Sequence, residues 1–200
     1  MNQKLLKSLS KYVEITKELE VAINESAFIQ NFNTGTILLK EGQQSNECFF
    51  ILKGCIRCCY FKDGEEKTTG FYTEDQAVTL SCYGKKTPSQ YYLQCVEDTI
   101  ACVGTPALEE KMLKKHPVLE KMERIMADAM MTQYQDTLSE FKTASPEELY
   151  LNLLKKRSDL IQRVPQHQIA SYLGIKPESL SRIRKRIMNK SNIDQNSKFS

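Results

Sequence analysis

Apolar positions change their period several times along the chain, and each change predicts a new kind of element. Residues 3–23 place Leu5, Leu6, Leu9, Tyr12, Val13 and Leu19 mostly three and four apart, which predicts one helix resting on a larger body. From residue 28 to about residue 103 the pattern shortens to β-rich runs at 36–39, 48–52, 55–61, 68–73, 91–96 and 99–103, separated by turn residues. Asp63-Gly64 between two of these runs signals a hairpin, because glycine accepts the positive φ of a tight two-residue turn. Gly35, Gly42 and Gly54 punctuate the earlier runs. So many short strands at regular spacing argue for a closed or rolled antiparallel sheet.

The strand pattern stops at Pro106. After Pro117 a helical period runs to about Lys142, with Val118, Met122, Ile125, Met126, Ala129, Met130, Leu138 and Phe141 on one broad face, about seven turns at 3.6 residues each. A helix of that length exceeds what one small roll can cover, so Met122, Ile125, Met126 and Ala129 are predicted to meet a second copy of the chain. Ser145-Pro146-Glu147-Glu148 opens a further helix: serine is a good N-cap, proline suits the first helical position, and acids suit the first turn. Residue 145 is therefore the expected domain boundary, and the polar residues 189–200 are expected to fray.

Residues 165–188 carry the densest signal. Ile169, Leu173, Ile175, Leu180 and Ile183 are the apolar positions, with Ala170 and Gly174 among them. Two helices joined by a short turn cross closely, so the crossing wants a small side chain and the turn wants a residue that accepts left-handed φ. Pro177 can open the second helix because the first helical N–H has no intrahelical acceptor. With Leu180, Ile183 and Ile187 turned inward, Glu178, Arg182 and Lys185 form an outward stripe near the helix N-terminus, the part of a helix-turn-helix that enters the major groove. Arg182 matches the O6/N7 edge of guanine and Glu178 the N4 donor of cytosine. Gln166, His167, Lys176 and Ser179 suit phosphate, which sets register without reading sequence, and Arg186 extends the basic set. The competing expectation is that Glu178 and Arg182 form an ordinary exposed i,i+4 ion pair.

Composition sharpens this picture in one place. The net charge of the 200 residues is only +3, yet residues 145–200 hold eleven Lys/Arg against five Asp/Glu, which points to a polyanionic partner. A hydrophobic content of 40% is enough for an ordinary core. No run approaches the roughly 18 apolar residues of a membrane span. The charged, periodic start lacks the apolar core of a secretory signal, so a reducing cytoplasm is expected, with the seven cysteines mostly free thiols.

The whole arrangement resembles the Crp/Fnr family of bacterial regulators, and its best-matching parts are Phe49-Phe50-Ile51-Leu52-Lys53-Gly54 and Glu178-Ser179-Leu180-Ser181-Arg182. The run from Val164 through Lys185 is similar to a subgroup common in Bacteroidetes. The resemblance implies an α+β fold: an N-terminal helix and antiparallel, cyclic-nucleotide-binding-like β-roll over residues 1–116, a dimerisation helix over 117–144, and a helix-turn-helix domain over 145–200. It implies a homodimer that regulates transcription on double-stranded DNA, with RNA polymerase as a further partner, no membrane and no cofactor. By the same resemblance Glu178 and Arg182 match the family's base-reading pair, while Pro177 stands where an arginine often precedes them, so the target is expected to drift from the usual palindrome.

The ligand pocket departs from the family pattern. Relatives that bind cyclic AMP use a Gly-Glu pair for ribose and an Arg-Ser pair for the cyclic phosphate, where this chain reads Val78-Thr79 and Pro88-Ser89. Proline brings neither a cation nor an N–H, and a charge-assisted bidentate contact is not easily replaced. The expected pocket residues are Thr79, Lys85, Lys86, Ser89, Gln90 and Tyr91, serving an unidentified effector or none, and cyclic AMP is not expected to bind. Cys55-Ile-Arg-Cys58-Cys59 has the look of a metal or redox signature, but alternation along a strand sets Cys55 and Cys59 on the opposite face from Cys58. A redox- or metal-responsive regulator is thus the weaker alternative. A cupin-like metalloenzyme is weaker still, since the β region holds no histidine and His116 and His167 lie far apart. Tyr60, Tyr72, Tyr91 and Tyr92 are read as roll packing.

Overall fold

The computed structural model describes residues 2–196. It opens with two helices, α1 (Asn2–Leu9) and α2 (Lys17–Ser26), where the periodicity predicted one. The break has a local cause: the hydroxyl of Thr16 accepts the N–H of Leu19 at 3.2 Å and starts a new helix, and Thr16 itself sits in extended backbone. Eight strands follow. They are β1 (Phe28–Phe32), β2 (Ile37–Leu39), β3 (Cys48–Lys53), β4 (Ile56–Lys62), β5 (Glu65–Tyr72), β6 (Ala77–Thr79), β7 (Tyr92–Cys95) and β8 (Thr99–Gly104). They form two four-stranded sheets ordered β1-β8-β3-β6 and β2-β7-β4-β5, with antiparallel pairings such as Phe28 opposite Val103 and Ile56 opposite Cys95.

The near-continuous apolar run of β3 has its reason in this layering. Phe49 and Ile51 point between the sheets, into a core with Leu39, Ile56, Leu93, Ala101 and Val103. Phe50 and Leu52 point the other way, where Leu5, Leu9, Leu19 and Ile23 of the first helices and Leu119 cover them. A strand buried on both faces has no polar alternation to show. The predicted hairpin is present at Asp63-Gly64, both residues at positive φ (55° and 76°), the geometry that matches strand twist.

Past the roll come α3 (Pro106–Lys115) and α4 (Val118–Thr143). The 26 residues of α4 bury one side chain, Leu119, within this chain. Then follow α5 (Pro146–Lys156), α6 (Ser158–Arg163), α7 (Gln166–Tyr172) and α8 (Pro177–Asn196). The start of α5 carries the expected cap in full: Ser145 receives the Glu148 N–H and the Glu148 carboxylate receives the Ser145 N–H. Helix α8 continues to Asn196, through residues where polar composition predicted fraying; residues 197–200 lie outside the described residues.

The chain divides into two compact units. One runs through Tyr60 and resumes over Thr69–Leu138; the other holds Phe61–Thr68 and begins again at Ser139. Within the second, the Ser171 hydroxyl accepts the Thr68 N–H at 2.9 Å and donates to the Glu66 carbonyl at 2.8 Å. In the first unit Gly54 is the tightest point of the roll: its φ is +110°, and a Cβ there would stand 2.6 Å from the Thr99 Cα. Backbone strain and overpacking therefore act together, and Gly54→Ala is expected to destabilise the roll by about 2–5 kcal/mol. Urea denaturation of the variant checks this, and an unchanged midpoint would contradict the geometry.

Candidate functional site

The last helical pair is assembled around small residues. The Gly174 N–H bonds to the Ser171 carbonyl at 3.1 Å and the Ile175 N–H to the Ala170 carbonyl at 3.0 Å, which closes α7 and turns the chain toward α8. Gly174 has φ +69°, and an added Cβ would meet nothing within 4 Å, so the hand of the backbone rather than lack of space calls for glycine. Leu180 and Ile183 of α8 are buried, as are Ile169, Ala170 and Leu173, with Ala170 fully enclosed.

Anchoring on that side leaves Glu178, Ser181, Arg182 and Lys185 exposed on the other, at spacings of three and four. No ion pair joins Glu178 to Arg182 among the described residues, so the bland alternative of a surface pair is not what the side chains do. Ser181 was not singled out from sequence, although its position three residues after Glu178 places it on the same stripe. Gln166, His167 and Lys176 are exposed and Ser179 is half-buried at the start of α8. Arg186 differs from its neighbours: its guanidinium is ion-paired with Glu147 of α5, and it braces one helix on the other.

Along α4, Met122 and Met126 are half-buried, whereas Ile125 and Ala129 are exposed. Farther along the helix, on other sides of it, Met131, Tyr134 and Leu138 are also exposed, of which Met131 and Tyr134 were not expected. Met131 is 60% exposed and Leu138 56%. At the end of α4, the ring of Phe141 meets Tyr172 edge-on at 5.4 Å.

The six pocket residues expected from sequence differ in burial and in their partners. Thr79 is exposed at the end of β6 and Gln90 is exposed. Ser89 is buried and committed to its own loop: its hydroxyl donates to the Tyr91 carbonyl at 2.9 Å and accepts the Tyr91 N–H. Tyr91 packs on Tyr60, ring centroids 5.7 Å apart, and its hydroxyl accepts the Ser81 N–H. Lys85 and Lys86 line an open cavity. Tyr60, Tyr72 and Tyr91 pack against the inter-sheet core, and the Tyr72 hydroxyl meets that of Tyr134 at 3.0 Å. Burial, then that hydrogen bond, pushes the Tyr72 phenol well above its ordinary value.

The roll's one arginine among residues 29–116 is Arg57. It is buried, it alternates with the inward Ile56 and Cys58, and its guanidinium donates to Gln94 at 2.7 Å. The cysteines are free thiols, five of them buried. Burial pushes the Cys58 thiol up to about 11, which leaves little thiolate for chemistry near neutrality. Among the described residues no three His, Cys, Asp or Glu side chains group as metal ligands, and no helix is long and apolar enough to cross a membrane.

Residues 29–116 match the cyclic nucleotide-binding domain family. No curated protein matches the chain in sequence. Among solved structures it is similar to FixK2 from Bradyrhizobium japonicum, at TM-score 0.67 and 16% identity over 82% of this chain and 86% of that one. A CooA mutant from Carboxydothermus hydrogenoformans gives 0.65 and 16% over 89% and 87%. The c-di-GMP-responsive global regulator CLP of Xanthomonas campestris, described as linking cell-cell signalling to virulence gene expression, gives 0.64 and 14% over 86% and 91%. The roll is thus of the cyclic nucleotide-binding type, and the chain shares the α+β fold of Crp/Fnr regulators, as the sequence predicted.

The enclosed crossing makes Ala170 a sharp test of how α8 is held. Ala170→Leu forces extra volume into a filled contact and is expected to destabilise the second unit by about 1–3 kcal/mol. Ile169→Val, which only removes a methyl group, is expected to cost about 0.5–1.5 kcal/mol. Thermal and urea melts of both variants read the difference, and a neutral Ala170→Leu would mean that the helices do not cross there.

Proposed function

We propose that this chain, built on the fold of Crp/Fnr regulators, is a homodimeric transcription regulator that binds a specific palindromic DNA site through α8. The observation that carries the reading is the stripe of Glu178, Ser181, Arg182 and Lys185, exposed on a helix whose opposite side is fixed by Leu180 and Ile183. Arg182 reads guanine, Glu178 accepts from cytosine, and Gln166, His167, Lys176 and Ser179 hold phosphates. Arg186, engaged with Glu147, contributes by keeping α8 in place. The global-regulator description of CLP agrees with a regulatory role for the shared fold.

A second copy of the chain is the occupant of the apolar stripe on α4. Two-fold pairing of long helices would cover exposed apolar residues of α4 such as Ile125 and Ala129 on both copies and would present two recognition helices to two half-sites. The roll serves as the sensing domain for an effector other than cyclic AMP. Pro88 supplies no cation where the cyclic phosphate would lie, and Arg57 is turned to Gln94 on the opposite side of its strand from Ile56 and Cys58.

Three measurements test this reading. Against operator and scrambled duplexes, Arg182→Ala is expected to lose about 1–3 kcal/mol on the operator alone, whereas Lys176→Ala weakens both and lowers the salt slope by about one. Equal losses for Arg182→Ala on the two duplexes would remove its base-reading role. In sedimentation, the chain is expected to run as a dimer and the Ile125→Glu/Leu138→Glu variant as a monomer with weakened operator binding; a wild-type monomer would refute the pairing. Calorimetric titration with cyclic AMP is expected to give no saturable heat, and micromolar affinity would overturn that part.

A further inference from the structure

Lys85 and Lys86 stand at a cavity that the cyclic-phosphate comparison does not account for. Its volume is about 490 Å³, within the range of roughly 300–1,000 Å³ that small-molecule sites occupy. The lining is Gln44, Ser45 and Asn46 from the loop before β3, Gly84, Lys85 and Lys86 from the loop after β6, and Pro106 at the start of α3.

The two loops are tied together by several hydrogen bonds, so the cavity has a frame. The Gly42 N–H bonds to the Ser89 carbonyl at 2.8 Å, the Ser89 N–H to the Gln43 carbonyl at 2.9 Å, and the Gln44 side-chain amide to the Lys86 carbonyl at 3.1 Å. Gly84, at φ +66°, turns the chain so that the Lys85 N–H reaches back to the Cys82 carbonyl at 2.9 Å. Both lysines are exposed, and neither is ion-paired with a described residue. No carboxylate is among the lining residues, and Glu109 of α3 is engaged by the Tyr83 hydroxyl at 2.6 Å.

Two lysines adjacent in sequence, neither paired with a described carboxylate, favour an anion, and lysine binds phosphate as a point charge. The space exceeds what one phosphate fills. Asn46 offers both an amide donor and an acceptor for the rest of the molecule, while Ser45 already accepts the Glu47 N–H. We infer that this cavity, framed by the loops at residues 42–46 and 82–89, binds a small phosphorylated metabolite through Lys85 and Lys86, with neither Pro88 nor Ser89 in its lining. The inference rests on the reading of the roll as a sensing domain, not on the DNA contacts.

The probe is inorganic pyrophosphate, titrated calorimetrically into the full chain at low ionic strength. Wild type is expected to bind it saturably, and Lys85→Ala/Lys86→Ala is expected to lose about tenfold or more in affinity with its melting temperature unchanged. Asn46→Ala leaves both charges in place and is expected to spare pyrophosphate. Absence of saturable binding to wild type, or equal affinity in the double lysine variant, overturns the proposal. Scrambled duplex DNA is titrated in parallel and is expected to bind both proteins equally. A parallel fall in DNA affinity would instead assign the lysines to a nucleic-acid surface and overturn the metabolite site. Arg182→Ala, which tests the DNA reading, is expected to leave pyrophosphate binding untouched, so the two readings fail separately.

Discussion

A helix can read DNA only if something else holds it still, and on the proposed reading that hold is the pairing of α7 with α8, where Ala170 is fully enclosed. Leu180 and Ile183 of one helix and Ile169, Ala170 and Leu173 of the other are all buried, and Gly174 turns the backbone with a hand that side-chain-bearing residues resist. The exposure of Glu178, Ser181, Arg182 and Lys185 is the other half of the same geometry. Arg186 adds an electrostatic brace to Glu147, worth little as an exposed pair in isolation but well placed to limit rolling of α8 on α5.

How much of this was legible in the sequence depended on how local each cause was. The Asp63-Gly64 hairpin, the Ser145 capping box and the turn at Gly174 are written in a few adjacent residues, and all three stand where the pattern put them. The division of the first helix at Thr16 was missed because the apolar spacing continues across residues 10–16 and masks a cap that only the Leu19 hydrogen bond reveals. Strands β1 and β6 are short, and β6 is recognisable only by its pairing with β3. In the candidate site, the stripe on α8 followed from helical period alone. The Arg186–Glu147 pair spans 39 residues, and the meeting of Gln44 with Lys86 spans 42, distances at which no local pattern can speak.

The roll shows a fold kept while its chemistry is replaced. Two sheets, a tyrosine-rich inner face and a loop between β6 and β7 give the cyclic nucleotide-binding shape. Pro88 brings no cation to that loop, and the Ser89 hydroxyl is engaged with Tyr91. Its cations lie instead at Lys85 and Lys86, beside amide and hydroxyl groups from a different loop. A scaffold built by burial on both faces of β3 tolerates such exchange, since Lys85, Lys86, Pro88 and Ser89 stand outside both core clusters, whereas Leu80 and Cys82 of the same loop belong to one.

Helix α4 carries a consequence for dosage. With a second copy covering Ile125 and Ala129, the species competent for a two-half-site operator is populated by mass action. At dilution its amount rises with the square of the chain concentration, so a twofold change in synthesis moves promoter occupancy by more than twofold. On the proposed reading, pairing through α4 would make expression level itself an input, alongside whatever the roll detects.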